Sequence, residues 1–195
     1  MRLRTAIFRV LLFLQSALVL TGGAVRLTGS GLGCPTWPEC TPGSYTPVPY
    51  QAEGQLHAWI EFGNRLLTFA LLFSALVAVI YVLQSGRKDL RTLAAGQVLG
   101  IFGQGILGGI TVLTDLHPLP VAGHLLLSML LIAGATSLYS RRHEPQIKVA
   151  APTKTISVLS QAHIAISFIV LILGTIVTGS GPHAGDEKAQ RFGFD

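Results

Sequence analysis

The stretch that decides the fold runs TGSGLGCPTWPEC over residues 28–40. A polar, Pro-rich loop follows, and then HAWIEFGNR over residues 57–65 leads into a long apolar run. Two cysteines, a histidine, a glutamate and an arginine therefore crowd the edge of what reads as a membrane span. Ionisable groups at that depth are costly and are functional by default. On a helix, His57, Glu61, Asn64, Arg65 and Thr68 fall at spacings of three and four and share one face near its outer end. Two structural readings stand beside the functional one. A carboxylate in a first turn is favoured by the helix dipole, and Arg65 can snorkel outward or pair with Glu61 one turn away. So many polar groups on one stripe at one bilayer edge favour function.

Outward from this stretch the chain is apolar. Of its 195 residues half are hydrophobic and only 12% are charged, against about 25% charged in a soluble domain. Five apolar runs are each long enough to cross a hydrocarbon core of about 30 Å: residues 6–25, 60–83, 93–113, 119–139 and 155–177. The expected class is an all-α, polytopic membrane helix bundle. The first run is too long for the apolar stretch of a signal peptide, and no A-x-A site follows it.

The formal net charge of +5 does not point to nucleic acid, because the basic residues gather at the ends of spans. The N-terminus carries Arg2, Arg4 and Arg9. Arg87, Lys88 and Arg91 lie in the 84–92 loop, and Arg141, Arg142, Lys148 and Lys154 in the 140–154 loop. The 28–59 and 114–118 loops contain no Lys or Arg. This alternation predicts a cytoplasmic N-terminus and an outward-facing Cys loop in a bacterial plasma membrane. Lys188 and Arg191, in an outer tail, fit this less well.

Cys34 and Cys40 are the only cysteines. An oxidising outer face favours a disulfide over two reduced, inert thiols. Two thiols without a second pair or a nearby histidine make a poor zinc site. Among the six histidines, His143 reads as solvated, His163 as an interhelical hydrogen-bonding residue inside the fifth span, His183 as part of the outer tail, and His117 as part of the turn before the fourth span. His124 lies inside the fourth span on the same outer side as His57 and Glu61. Imidazole is a common axial ligand of haem iron, and helix bundles build cofactor sites from facing helices. His124 and His57 are the candidate metal ligands, against the simpler reading of hydrogen-bonded buried histidines. Arg26 and Arg65 are the candidate partners for propionates. The glycines of GQVLGIFGQGILGG, residues 96–109, suit either close helix packing, which would permit a homo-oligomer, or a flat surface for a macrocycle.

TGSG at residues 28–31 recurs at 178–181, each copy after an apolar span. Four spans separate the two, so both copies share one orientation. The expectation is two parallel four-helix halves: residues 1–145 as the first, and residues 146–195 as a linker, fifth span and tail of an incomplete second. The tail GDEKAQRFGFD reads as the end of a truncated sequence.

Together, TGG-x-VR-x-TGSGLGCP-x-WP-x-C, IEFGNR, LTDLHPLPVAGHLLLSM (residues 113–129) and TGSGPHAGD (residues 178–186) resemble the bacterial haem A synthase family over essentially the whole chain. The resemblance implies an eight-span fold of two similar halves. It also implies an oxidoreductase that converts a methyl group of haem O to a formyl group by two hydroxylations and loss of water. It assigns Cys34 and Cys40 to the outer-loop pair, Glu61 to the oxidation and His124 to a haem ligand. Many members carry a second histidine ligand where this chain has Asn64, which leaves His57 as replacement or His124 alone. A haem b site would lie on sixth and eighth spans that this chain does not contain. Haem O, membrane lipid, haem O synthase and terminal oxidase assembly factors are the implied partners. The rival readings are an electron-transfer membrane protein of cytochrome b type, which has no need of Glu61, and an inactive fragment.

Overall fold

A computed structural model describes residues 2–143, 152–181, 185–186 and 189–193. It contains five long helices: α1 (Arg2–Leu27), α2 (Gln55–Gln84), α3 (Arg91–Leu113), α4 (Pro118–Ser140) and α5 (Lys154–Ser180). All five are long and apolar enough to cross a membrane, and no strand occurs among the described residues. The chain is an all-α, multi-pass membrane protein. Lys148, His183 and Lys188 lie outside the described residues.

Each predicted span is present, and the helices overrun the apolar runs. The largest overrun is at α2, which begins at Gln55 rather than at residue 60. Apolarity marks only the part of a helix in hydrocarbon, whereas the backbone hydrogen bonds continue outward to Gly54. The φ of 88° at Gly54 is a turn conformation that suits glycine. At α4 the start was legible. Pro118 occupies the first helical position, and His117 caps it by accepting the Leu119 amide on Nδ1 at 3.3 Å.

The first four helices form a ring, with packing that runs α1–α2–α3–α4 and back to α1. α2 and α4 therefore stand across the ring from each other. α1 and α3 also meet across it, through a hydrogen bond from Gln15 Nε2 to Gln97 Oε1 at 2.9 Å. Gln97 donates in turn to the Leu131 carbonyl of α4 at 3.0 Å. With no water in hydrocarbon, such polar side chains must satisfy one another.

The inner half of the ring is closely packed. Phe8, Leu11, Leu71, Ala75, Ala78, Val82, Ala94, Ile101, Ala135 and Leu138 form one buried cluster, and the Phe8 and Tyr81 rings meet edge to face at 5.9 Å. The rim at the end where α1 begins is tied by Asp89, which bridges Arg87 at 2.8 Å and Arg141 at 3.2 Å. α5 packs along α4, and most of its surface is exposed. Both TGSG copies lie at the same end of the molecule: Arg26, just before the first, donates to the Thr178 carbonyl of the second at 2.7 Å.

Candidate haem-binding and oxidation site

At the opposite end of the helices, called the outer end, residues 28–54 fold over the ring as a cap. Cys34 and Cys40 form a disulfide, and both are fully buried. The stretch from Cys34 to Glu39 is held from below chiefly by two residues of α2, Glu61 and Arg65. Arg65 donates to three loop carbonyls: Cys34 at 2.8 Å, Thr36 at 3.1 Å and Glu39 at 3.2 Å. Its Nε and Nη2 also reach Glu61 Oε1, at 3.0 and 2.5 Å. Glu61 Oε2 accepts the Cys34 amide at 2.7 Å. Gln51 adds a further tie to the Gly33 carbonyl. At Gly33 the loop lies so close to α2 that a Cβ would meet the Ala58 amide nitrogen at 2.8 Å. Trp37 covers Gly109 of α3 in the same way, where a Cβ would stand 2.7 Å from the indole.

Glu61 is thus buried at 6% exposure, with three hydrogen bonds on a carboxylate that offers about four acceptor positions. One position, on Oε2, remains. The Arg65 ion pair makes a buried charge tolerable at this depth. Glu61 and Arg65 pair one turn apart, as one of the two structural readings had it, and the pair also carries the loop.

His57 is half-buried in the first turn of α2. Its Nδ1 is 2.9 Å from the Ser30 hydroxyl, which lies 2.7 Å from that of Thr28. Asn64 is held across the α1–α2 contact by the Thr21 hydroxyl, which donates to Oδ1 at 2.7 Å. Thr68 is half-buried on the same stripe.

His124 faces α3. Its Nδ1 bonds to Gln104 Oε1, while Gln104 Nε2 donates to the Ser128 hydroxyl at 2.5 Å and to the His124 carbonyl at 3.1 Å. His124 Nε2 has no hydrogen-bond partner among the described residues. It lies beside Gly108, where a Cβ would stand 3.7 Å from it. An imidazole whose Nδ1 is engaged and whose Nε2 is bare has the orientation of an axial ligand. The described residues contain no group of three His, Cys, Asp or Glu that would hold a bare ion. Haem makes no such demand, because the macrocycle supplies the equatorial nitrogens and the protein only axial ones.

Burial along the helices marks the level of this site. α1 has no buried residue from 16 to 27, α2 none from 62 to 70 and α4 none from 119 to 130, while α3 has only Gln104 between Ile101 and Gly109. Between the packed inner half and the cap, the inward faces are half-accessible.

Gln104, Ser128, Thr21 and Ser30 were not singled out in the sequence. The available signal was the pair of glutamines, Gln97 and Gln104, seven residues apart within an apolar span, since a polar side chain there needs a partner. His163 is exposed on α5 and makes no hydrogen bond among the described residues, contrary to the interhelical bond expected of it.

The model of a family described as cytochrome oxidase assembly protein, COX15-CtaA, matches residues 6–184. A protein named haem A synthase from Shewanella oneidensis is 32% identical over 190 residues, covering 90% of this chain and 55% of that protein. One of the same name from Methylobacterium sp. is 31% identical over 208 residues, covering 87% and 56%, and one from Geobacillus thermodenitrificans is 26% identical over 119 residues, covering 60% and 35%. The chain spans about half the length of the Shewanella and Methylobacterium relatives. No solved structure matches it at a significant level.

Proposed function

Because this chain belongs to the COX15-CtaA family of cytochrome oxidase assembly proteins, we propose that its four-helix ring is the haem O-oxidising half of a haem A synthase. Haem O is the substrate, held by His124 through Nε2, with its reactive methyl group directed toward Glu61. The observation that carries this reading is the half-accessible band of the ring, lined by His124 with its bare Nε2 and roofed by Glu61 beneath the disulfide loop.

In this reading each hydroxylation breaks a C–H bond of the methyl group, passes two electrons to an external acceptor, and forms a C–O bond to a single water molecule, with one proton released from the carbon and one from the water. Two give a geminal diol, and loss of water leaves the formyl group. Glu61 supplies a fixed negative charge that stabilises positive charge developing on the methyl carbon, or takes a proton on its remaining Oε2 position. Arg65 holds that carboxylate in place and ties it to the cap. The cap keeps bulk water from the reacting carbon, and the Cys34–Cys40 disulfide shapes it. Arg26 donates to the Thr178 carbonyl and is the candidate partner for a propionate beside that bond; Arg65 donates to the loop and to Glu61. The haem b of the family resemblance takes no part in this reading. Haem O synthase and terminal oxidase assembly factors are the partners it implies.

The test is pigment extraction from the chain purified in detergent from cells that supply haem O. Haem A or its hydroxylated precursor is expected from the wild type, and haem O alone from Glu61→Ala. Bound haem with no oxidised product from the wild type would overturn the oxidation reading.

A further inference from the structure

The inward stripe of α2 can be followed without a break. Leu71, Ser74, Ala75, Ala78 and Val82 are buried in the ring. Continuing outward from Leu71 at steps of three and four, the same stripe passes Thr68, Asn64, Glu61 and His57. On α4 the buried residues Leu131, Ala135 and Leu138 continue outward through Ser128 to His124. Asn64 and His124 thus occupy inward positions on the two helices that stand across the ring from each other.

Their depths match. His57 lies at the level of the cap, against Gly33. Residues 31–33 of the cap also reach the start of α4, since a Cβ at Gly31 would meet the Leu116 side chain. Asn64 is seven residues inward from His57, about 10 Å on a helix, and His124 is six residues inward from Pro118, about 9 Å. His57 is therefore about two turns too far out to share an axis with His124, and its Nδ1 is engaged by Ser30.

We propose that haem bound through His124 has no protein ligand on its second axial face, and that Asn64 stands there as a hydrogen-bond donor to a small exogenous ligand. The inference rests on the haem reading above. A carboxamide nitrogen is a donor, not a ligand. The Thr21 hydroxyl takes Asn64 Oδ1, which fixes the amide and leaves its Nδ2 hydrogens without a partner among the described residues. α1, α2 and α4 carry no buried residue at this level, so no packed side chain there closes off the face beside Asn64. The chemical class is a diatomic or a small anion.

The experiment is to load the full chain with hemin in detergent and record absorption and electron paramagnetic resonance spectra, then to titrate carbon monoxide on the ferrous form and azide on the ferric. The wild type is expected to be high-spin and to bind one carbon monoxide per haem. Asn64→His is expected to become low-spin, with carbon monoxide affinity lowered at least about tenfold, equivalent to ~1.4 kcal/mol of competing imidazole ligation. Asn64→Leu should remain high-spin, with azide affinity lowered about fivefold by the lost hydrogen bond. His57→Ala should leave the wild-type spectrum unchanged. A low-spin wild type that becomes high-spin in His57→Ala would overturn the proposal and make His57 the second ligand. A low-spin wild type unaffected by that substitution would overturn it as well. A wild type that retains no hemin would instead overturn the haem reading on which the proposal rests.

Discussion

The inner and outer halves of the four-helix ring are built on the same stripes but use them for different purposes. In the inner half the inward positions are Phe8, Leu11, Leu71, Ala75, Ala94, Ile101, Ala135 and Leu138, all buried and apolar. In the outer half the same rows continue as Gly22, Asn64, Gly108 and His124, all half-accessible. The change comes at the Gln15–Gln97 contact, where α1 and α3 meet across the ring. Helix association in a membrane depends on close packing and interhelical hydrogen bonds rather than on expulsion of water. The inner half supplies both. The outer half keeps interhelical hydrogen bonds, Thr21 to Asn64 and Gln104 to Ser128, but has few buried residues; Arg65 and Glu61 tie it to the cap, and its inward faces are left to the site.

Three experiments test this division. The largest effect is expected at the cap. Arg65→Met leaves buried Glu61 unpaired and releases three loop carbonyls, a loss of about 3–5 kcal/mol. Adding Glu61→Gln should restore part of it, because the orphaned charge is then gone. Thermal unfolding in detergent reads both, and equal stability of Arg65→Met and wild type would break the comparison. Next is a matched pair of truncations. Leu71→Ala in the packed half should cost about 2–4 kcal/mol, and Leu127→Ala in the half-accessible stretch of α4 about 1 kcal/mol or less, since few contacts are lost there. Equal losses would mean that the two halves are packed alike. The smallest effect is at the boundary. Gln15→Leu removes one interhelical bond worth about 0.6 kcal/mol, and should show as a slight gain in amide hydrogen exchange at the middle of α1 and α3.

Much of this division was legible in the chain itself. The five spans follow from apolar length, and the α4 start from His117 and Pro118. The Glu61–Arg65 pair follows from a spacing of four, and the cysteine pair from its place in an outward loop. What Arg65 does was not legible. Its three carbonyl partners lie 26, 29 and 31 residues away, and no local pattern specifies which backbone groups a folded loop will present. The Gln104–His124 contact was hidden for a related reason. It joins side chains on two separate helices, and the glycine-rich face around it drew the reading toward packing. His57 looked level with His124 because both lie near outer helix ends. α2 in fact extends five residues beyond the expected start, and the added turn carries His57 up into the cap.

The Glu61–Arg65 pair also bears on how the molecule enters the bilayer in the first place. α1, the cap and α2 form a hairpin whose connecting loop, residues 28–54, contains no lysine or arginine. The nearest basic group on α2 travels one helical turn from a carboxylate of opposite sign. During insertion that level of the hairpin presents a dipole to hydrocarbon rather than a net charge. The contact that fastens the cap therefore also lowers the cost of placing an arginine at the level of hydrocarbon.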